Sequence, residues 1–144
     1  METLHKTWFV DIDGTIFYHL YNDSIDDLIE KYGESSHLHE KPIKNAIDFF
    51  KNRPKKDRII ITTAREGKHR EHTLRALNHY NMRYDGCVFD LAAGPRVVVN
   101  DIKPPGVAGN VESITTAYAV NLSRDKGINS DTQMIAGYHK NVNE

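Results

Sequence analysis

The chain has 144 residues, with 19 Lys and Arg against 20 Asp and Glu, a formal net charge of −1 with its eight His neutral. That balance excludes a strongly basic nucleic-acid binder or an acidic solvating tail as the whole molecule, and 39% hydrophobic with 27% charged residues is the composition of a folded domain. A single cysteine, Cys87, leaves neither an internal disulfide nor a thiolate zinc cage. No apolar stretch reaches the roughly 18 residues of a membrane span, and residues 1–8 lack the apolar core of a secretory signal. The expectation is one soluble, cytoplasmic domain over 1–144 that engages no membrane.

In chain order, Thr7 to Ile12 is an apolar run ending in acid and glycine, which predicts a buried strand delivering its last residues to a site. Asp23–Gly33 carries Ile25, Leu28, Ile29 and Tyr32 at helical spacing and predicts a short amphipathic helix. It lies in a 17–40 insert read as a flap or mini-cap. Pro42 suits the first turn of a second helix, with Ile43, Ala46, Ile47 and Phe50 on one face and an end before Pro54. The basic run from Lys51 to Arg58 reads as a solvated turn rather than a nucleic-acid patch.

Arg58–Thr63 is β-branched and too short for a helix, so it predicts a second strand. A helix over Glu66–Tyr80 follows, its buried stripe including Leu74, Leu77 and Tyr80. Cys87–Leu91 and Arg96–Asn100 read as further strands, separated by Ala93-Gly94-Pro95, and Thr115–Leu122 as a last one. The 123–144 tail is polar and takes no assignment. His37/His39 and His69/His72 have ligand-like spacings, yet nothing completes them, and they read as surface histidines. Alternating strands and helices predict an α/β fold, a Rossmann-like parallel sheet with helices on both faces and ligands beyond the strands' carboxyl ends.

Those strand ends carry the chemistry. Asp11 and Asp13, at i and i+2 of an extended segment, face the same side and repel unless a cation or a shared proton intervenes. Asp101, ending another strand, would bring a third carboxylate, and oxygen donors of this kind suit Mg²⁺ with phosphate.

Asp11-Ile12-Asp13-Gly14-Thr15 resembles the D-x-D-G-T signature of the haloacid dehalogenase-like (HAD) phosphatases and phosphotransferases, at the end of the first buried strand. Thr63-Ala64-Arg65 is similar to that family's second motif in its T-x-R variant, and Asp101 after Val97-Val98-Val99 resembles the fourth. Two departures stand out: Arg96 is the best candidate where the family usually has a lysine, and Asn100-Asp101 replaces the usual acid pair. The resemblance spans 7 to about 103 and implies a HAD-like fold with a short helical insert instead of a full cap. It implies a Mg²⁺-dependent phosphomonoesterase working through an aspartyl-phosphate.

In that scheme Asp11 is the nucleophile and Asp13 the acid and base, with a raised pKa from crowded neighbours, while Thr63 and Arg96 stabilise the transferring phosphoryl group. Gly14, Thr15, Arg65 and Lys103 would meet substrate. Asp11, Asp101 and Asp13, the last through its backbone carbonyl, would hold Mg²⁺. The small HAD proteins of capsule and lipopolysaccharide synthesis are also similar, and this points to a sugar phosphate as substrate. Phe17, Tyr18, His19 and Tyr21 would line the leaving-group side or pack beneath the little helix. Alternatives are a nucleotide or nucleic-acid-end phosphatase and a non-catalytic binding or regulatory module of the same fold. A homo-oligomer that closes the site is a further possibility.

Overall fold

In the computed structural model the fold is described for residues 4–128. Three parallel strands make the sheet: β1 (Thr7–Val10), β2 (Arg58–Thr62) and β3 (Gly86–Val88), in the order β1-β2-β3. Trp8 sits opposite Ile59 and Val10 opposite Ile61, while Ile61 is also opposite Cys87. β2 is central, and its β-branched run suits a strand covered on both sides, with Ile59 and Ile61 fully buried.

The helices are α1 (Asn22–Tyr32), α2 (Ala46–Lys51) and α3 (Arg70–His79), with 3-10 turns at Gly33–His39 and Gly67–His69. α1 stops at Gly33, whose left-handed φ of 57° lets its N–H return to the Ile29 carbonyl. The core joins Val10, Ile12, Ile59 and Ile61 to Phe49 and Phe50 of α2 and Ala76 and Leu77 of α3. Burial of these side chains is the main drive for the packing. No helix among the described residues is long and apolar enough to cross a membrane.

Several predicted elements differ. Pro42 does not open a helix. The Tyr18 N–H donates to the Lys41 carbonyl and the Ile43 N–H to the Ile16 carbonyl, which ties this segment to the loop after β1 and delays α2 to Ala46. The expected α3 stripe of Leu74, Leu77 and Tyr80 does pack on the core, but the buried face is wider and also takes in His72, Thr73 and Ala76. β3 ends at Val88 because the chain turns through Asp90 at a φ of 61°, where its N–H meets the Arg65 carbonyl.

Arg96–Asn100 is not a strand, nor is Thr115–Leu122. Lys103 pairs with Ile114 in an isolated bridge, and the Thr116 hydroxyl donates to the Asp101 carbonyl, so these two segments meet each other rather than β1. Val97 and Val99 stay 84% and 93% exposed, outside the sheet in which they were expected as a strand. His69 and His72 are buried, not surface residues, and Arg53 leaves the solvated turn to lie over the Trp8 and Phe49 rings. From residue 123 the chain crosses the loop after β1, giving part of the unassigned tail a defined place. Residues 129–144 of that tail lie outside the described residues.

Candidate functional site

β1 hands its chain to a tight loop at Asp11-Ile12-Asp13-Gly14-Thr15. The N–H groups of Thr15, Ile16 and Phe17 all converge on the Ile12 carbonyl, and the Gly14 N–H returns to the Phe17 carbonyl. Gly14 has a φ of 81°, a left-handed conformation that glycine adopts without a Cβ clash. Ile12, Ile16 and Phe17 anchor the loop in the core, leaving the acids on its outer side.

Asp11 is the more open acid, its side chain 37% exposed. The Thr15 hydroxyl reaches its Oδ2 at 3.5 Å, and Arg96 Nη2 lies 3.6 Å from its Oδ1. Burial pushes the Asp11 carboxyl above its usual range, opposed by the Arg96 charge and the Ile12 N–H, with Asp13 adding to the rise. Asp11, Thr15, Arg96, Asn100, Asp101 and Lys103 line one cleft of about 810 Å³ beside the free edge of β1.

Asp13 is held differently. What faces it is a cation, not a crowding carboxylate: Arg65 Nε donates to Oδ2 at 3.0 Å and Nη2 to Oδ1 at 2.8 Å, while the Leu20 N–H adds a third bond at 3.2 Å. An ion pair with Arg65 thus stands where crowding by carboxylates was expected.

Arg65 itself is buried, and its remaining donors go to Glu40, through Nη1 at 2.6 Å and Nη2 at 3.1 Å, and to the Thr73 hydroxyl at 3.1 Å. All five guanidinium N–H groups are thus engaged within the protein. Arg65 positions Asp13 rather than meeting substrate, which corrects its expected role. Behind it, His72 joins Glu40 at 2.7 Å through Nε2 and Ser36 at 2.7 Å through Nδ1. Burial would raise the Glu40 carboxyl, but its bonds with His72 and Arg65 bring it below the usual range. Burial likewise opposes the Arg65 charge, and its two carboxylate partners more than restore it.

Thr63 is fully buried, and its Oγ1 accepts the Arg65 N–H at 3.0 Å, so it shapes the turn that presents Arg65. Asp101 lies in the same cleft as Asp11, but among the described residues no three His, Cys, Asp or Glu side chains converge as a cation site. The oxygen donors that match a hard cation here are the Asp11 and Asp101 carboxylates and the Asp13 carbonyl. That carbonyl accepts no backbone hydrogen bond from the described residues. These donors fit Mg²⁺ in type. The Asp13 carboxylate, occupied by Arg65, is not among them.

His72 reads in the sequence only as half of a surface pair with His69, and Glu40, Ser36 and Thr73 gave no sequence signal, being single residues without a motif. Nor did Arg124 and Asp125. The Asp125 N–H donates to the Gly14 carbonyl and its Oδ1 accepts the His19 N–H, both at 2.9 Å, while the Ile128 N–H reaches the Thr15 carbonyl at 3.3 Å. Residues 123–128 thus strap the acid-bearing loop from outside. Compared with known protein families, curated proteins and solved structures, the chain matches none of them.

Proposed function

We propose that this protein is a Mg²⁺-dependent phosphomonoester hydrolase with a HAD-like fold, acting through an aspartyl-phosphate on Asp11. The observation that carries this reading is the contrast between two acids of one D-x-D-G-T loop: Asp11 stands half-open in a cleft with Arg96 and Thr15, whereas Asp13 is fixed by Arg65. A nucleophile must reach phosphorus, and Asp11 has that access.

In the proposed sequence an Asp11 oxygen attacks phosphorus as the ester oxygen departs opposite. Water then attacks the aspartyl-phosphate, releasing phosphate and restoring the carboxylate. Arg96 and Lys103, both lining the cleft, offset charge on the phosphoryl oxygens, and Thr15 offers its hydroxyl there, since the Gly14 and Thr15 N–H groups are bonded to the Phe17 and Ile12 carbonyls. Asp13 would take up a proton from solvent, pass it to the departing oxygen, and later take one from the attacking water. Because Arg65 occupies both its oxygens, this role requires Asp13 to loosen one of those bonds as charge develops. Mg²⁺, held by Asp11, Asp101 and the Asp13 carbonyl, would supply the positive charge that lets an anionic nucleophile approach a phosphate. A sugar phosphate is the proposed substrate class.

The test is hydrolysis of an aryl phosphate with Mg²⁺ and with chelator, comparing wild type with Asp11→Asn. Turnover that needs Mg²⁺ and vanishes in the variant is expected. Turnover surviving in Asp11→Asn would remove Asp11 as nucleophile. Silence on the aryl ester and on a sugar-phosphate and nucleotide panel would withdraw the hydrolase reading.

A further inference from the structure

We infer that His19, Tyr21 and Arg124 form a leaving-group subsite beside the D-x-D-G-T loop, one that takes a phosphorylated sugar bearing a second acidic group. This rests on the hydrolase reading above. Phe17, by contrast, is fully buried and packs edge-on against Tyr80 at 5.9 Å between ring centroids, so it contributes nothing to such a surface.

His19 and Tyr21 meet at 4.7 Å between ring centroids and an interplanar angle of 74°, and Tyr21 is 67% exposed. A ring that open, four residues from the nearest buried side chains, Phe17 and Ile25, has no packing reason to be aromatic. The residue between them, Leu20, gives its N–H to Asp13, which places one ring on either side of the amide that touches the acid. The His19 backbone is held there by Asp125, whose carboxylate accepts the His19 N–H and whose own N–H donates to the Gly14 carbonyl. Asp125 adopts a φ of 64°, a left-handed conformation unusual for a side-chain-bearing residue, and its two bonds maintain it.

The same strap delivers Arg124. Its Cγ lies 3.0 Å from where a Cβ on Gly14 would stand, so the arginine stem fills the space that glycine leaves open. Arg124 is exposed, and its guanidinium makes no hydrogen bond or ion pair with any described residue. Arg65, beyond the end of the neighbouring strand β2, spends every donor inside the protein. Among the described residues nothing takes the donors of Arg124, and its fork suits a carboxylate or a phosphate.

The two rings form a corner rather than a parallel pair. A flat base is best held on stacked aromatic faces, whereas a puckered sugar presents C–H groups to both walls of a corner. Ring and cation together describe a sugar phosphate with a further carboxylate or phosphate.

Binding to full-length Asp11→Asn, which retains substrate, tests this by calorimetry with Mg²⁺ present. The probes are glucose 1,6-bisphosphate, glucose 6-phosphate, glycerol 3-phosphate and adenosine monophosphate. The bisphosphate is expected to bind about tenfold more tightly than glucose 6-phosphate, the scale of one charge-assisted hydrogen-bonded pair, and glucose 6-phosphate more tightly than glycerol 3-phosphate. Adding Arg124→Gln should erase the first preference alone, and Tyr21→Ala the second alone, with melting temperatures unchanged. A preference that is absent, or that survives its variant, or adenosine monophosphate exceeding both hexoses, overturns the assignment. Aryl phosphate hydrolysis by wild type, run in parallel, separates the two readings: both preferences without turnover would keep the subsite and withdraw the catalysis.

Discussion

Arg65 grips Asp13 through two parallel hydrogen bonds of 3.0 and 2.8 Å, and grips Glu40 on its opposite side with two more. A buried ion pair of this kind contributes little net stability, because desolvation offsets the attraction, yet breaking it strands an uncompensated charge. The expected loss for Glu40→Gln is therefore about 3 kcal/mol in urea unfolding. Arg65→Lys keeps a positive charge but has no planar fork, so Asp13 loses its fixed orientation. Its kcat should fall by about tenfold to a hundredfold, the cost of small misplacement in an active site, with KM little changed. Normal kcat in a stably folded Arg65→Lys would show that Asp13 needs no such grip.

The same cluster sets an acid limit. Glu40 titrates below its usual range, so its contribution to stability is present above the ordinary carboxylate pKa and is lost as pH falls through the depressed value. Wild type should lose stability more steeply below about pH 4 than Glu40→Gln does. Parallel curves for the two proteins in acid urea titrations would contradict this.

Asp11 runs the other way. Its carboxyl is pushed up by burial, so the folded protein holds this charge at a cost that the proposed role as nucleophile would explain. Asp11→Asn preserves shape and removes that cost. Its melting temperature is expected to equal or exceed that of wild type while hydrolysis is abolished, the usual trade between stability and a functional site. A clearly destabilised Asp11→Asn would mean that the Arg96 contact at 3.6 Å matters more to folding than the burial of the charge.

Much of this was legible in the chain. β1 and β2 announced themselves because an apolar, β-branched run ending in acid or hydroxyl has few other solutions, although β1 stops at Val10 and leaves Phe9 60% exposed where a buried strand was expected, and α1 did so because its apolar spacing and Gly33 agree. Val97-Val98-Val99 satisfied the same local rule, yet its flanks are tied to residues 114–116, and local pattern does not encode which partner a segment finds. The Asp11 and Asp13 pair was visible, but the cation facing Asp13 was not, since Arg65 lies 52 positions away and carried a second plausible role. His72 and Glu40 were beyond reach for the same reason. A histidine at an exposed-looking spacing becomes a buried bridge only once α3 is laid against the turn at Gly33–His39.

Asp57 anchors the start of β1. Its Oδ1 accepts the Lys6 N–H at 3.0 Å and its Oδ2 the Trp8 indole N–H at 2.9 Å. Burial would raise this carboxyl, but those bonds hold it below the usual range. Asp57→Ala should cost about 2 kcal/mol, the scale of hydrogen bonds to a charged acceptor. The loss should shrink as pH falls below the ordinary carboxylate range, where wild type forfeits the same contribution. Tryptophan fluorescence in urea, from the single Trp8, reads this directly. A loss that stays constant from neutral pH to pH 3 would assign the effect to packing instead of charge.

Gly127 closes the strap over the acid-bearing loop. It has a φ of 76°, and a Cβ there would stand 2.5 Å from Ile43 Cγ2, with the Thr15 carbonyl 3.4 Å away. Ile43 is buried and its own N–H is tied to the Ile16 carbonyl, so neither backbone nor side chain yields easily. Gly127→Ala therefore adds steric overlap to an unfavourable backbone conformation, at about 1–3 kcal/mol. The loop after β1 keeps its own internal bonds to the Ile12 carbonyl, whereas the bonds from Asp125 and Ile128 depend on the strap. Hydrogen exchange should then show faster exchange at the His19, Asp125 and Ile128 amides, with β2 amides following global stability. Exchange that rises equally in β2 would make the strap an integral part of the core rather than a separable clasp on the site.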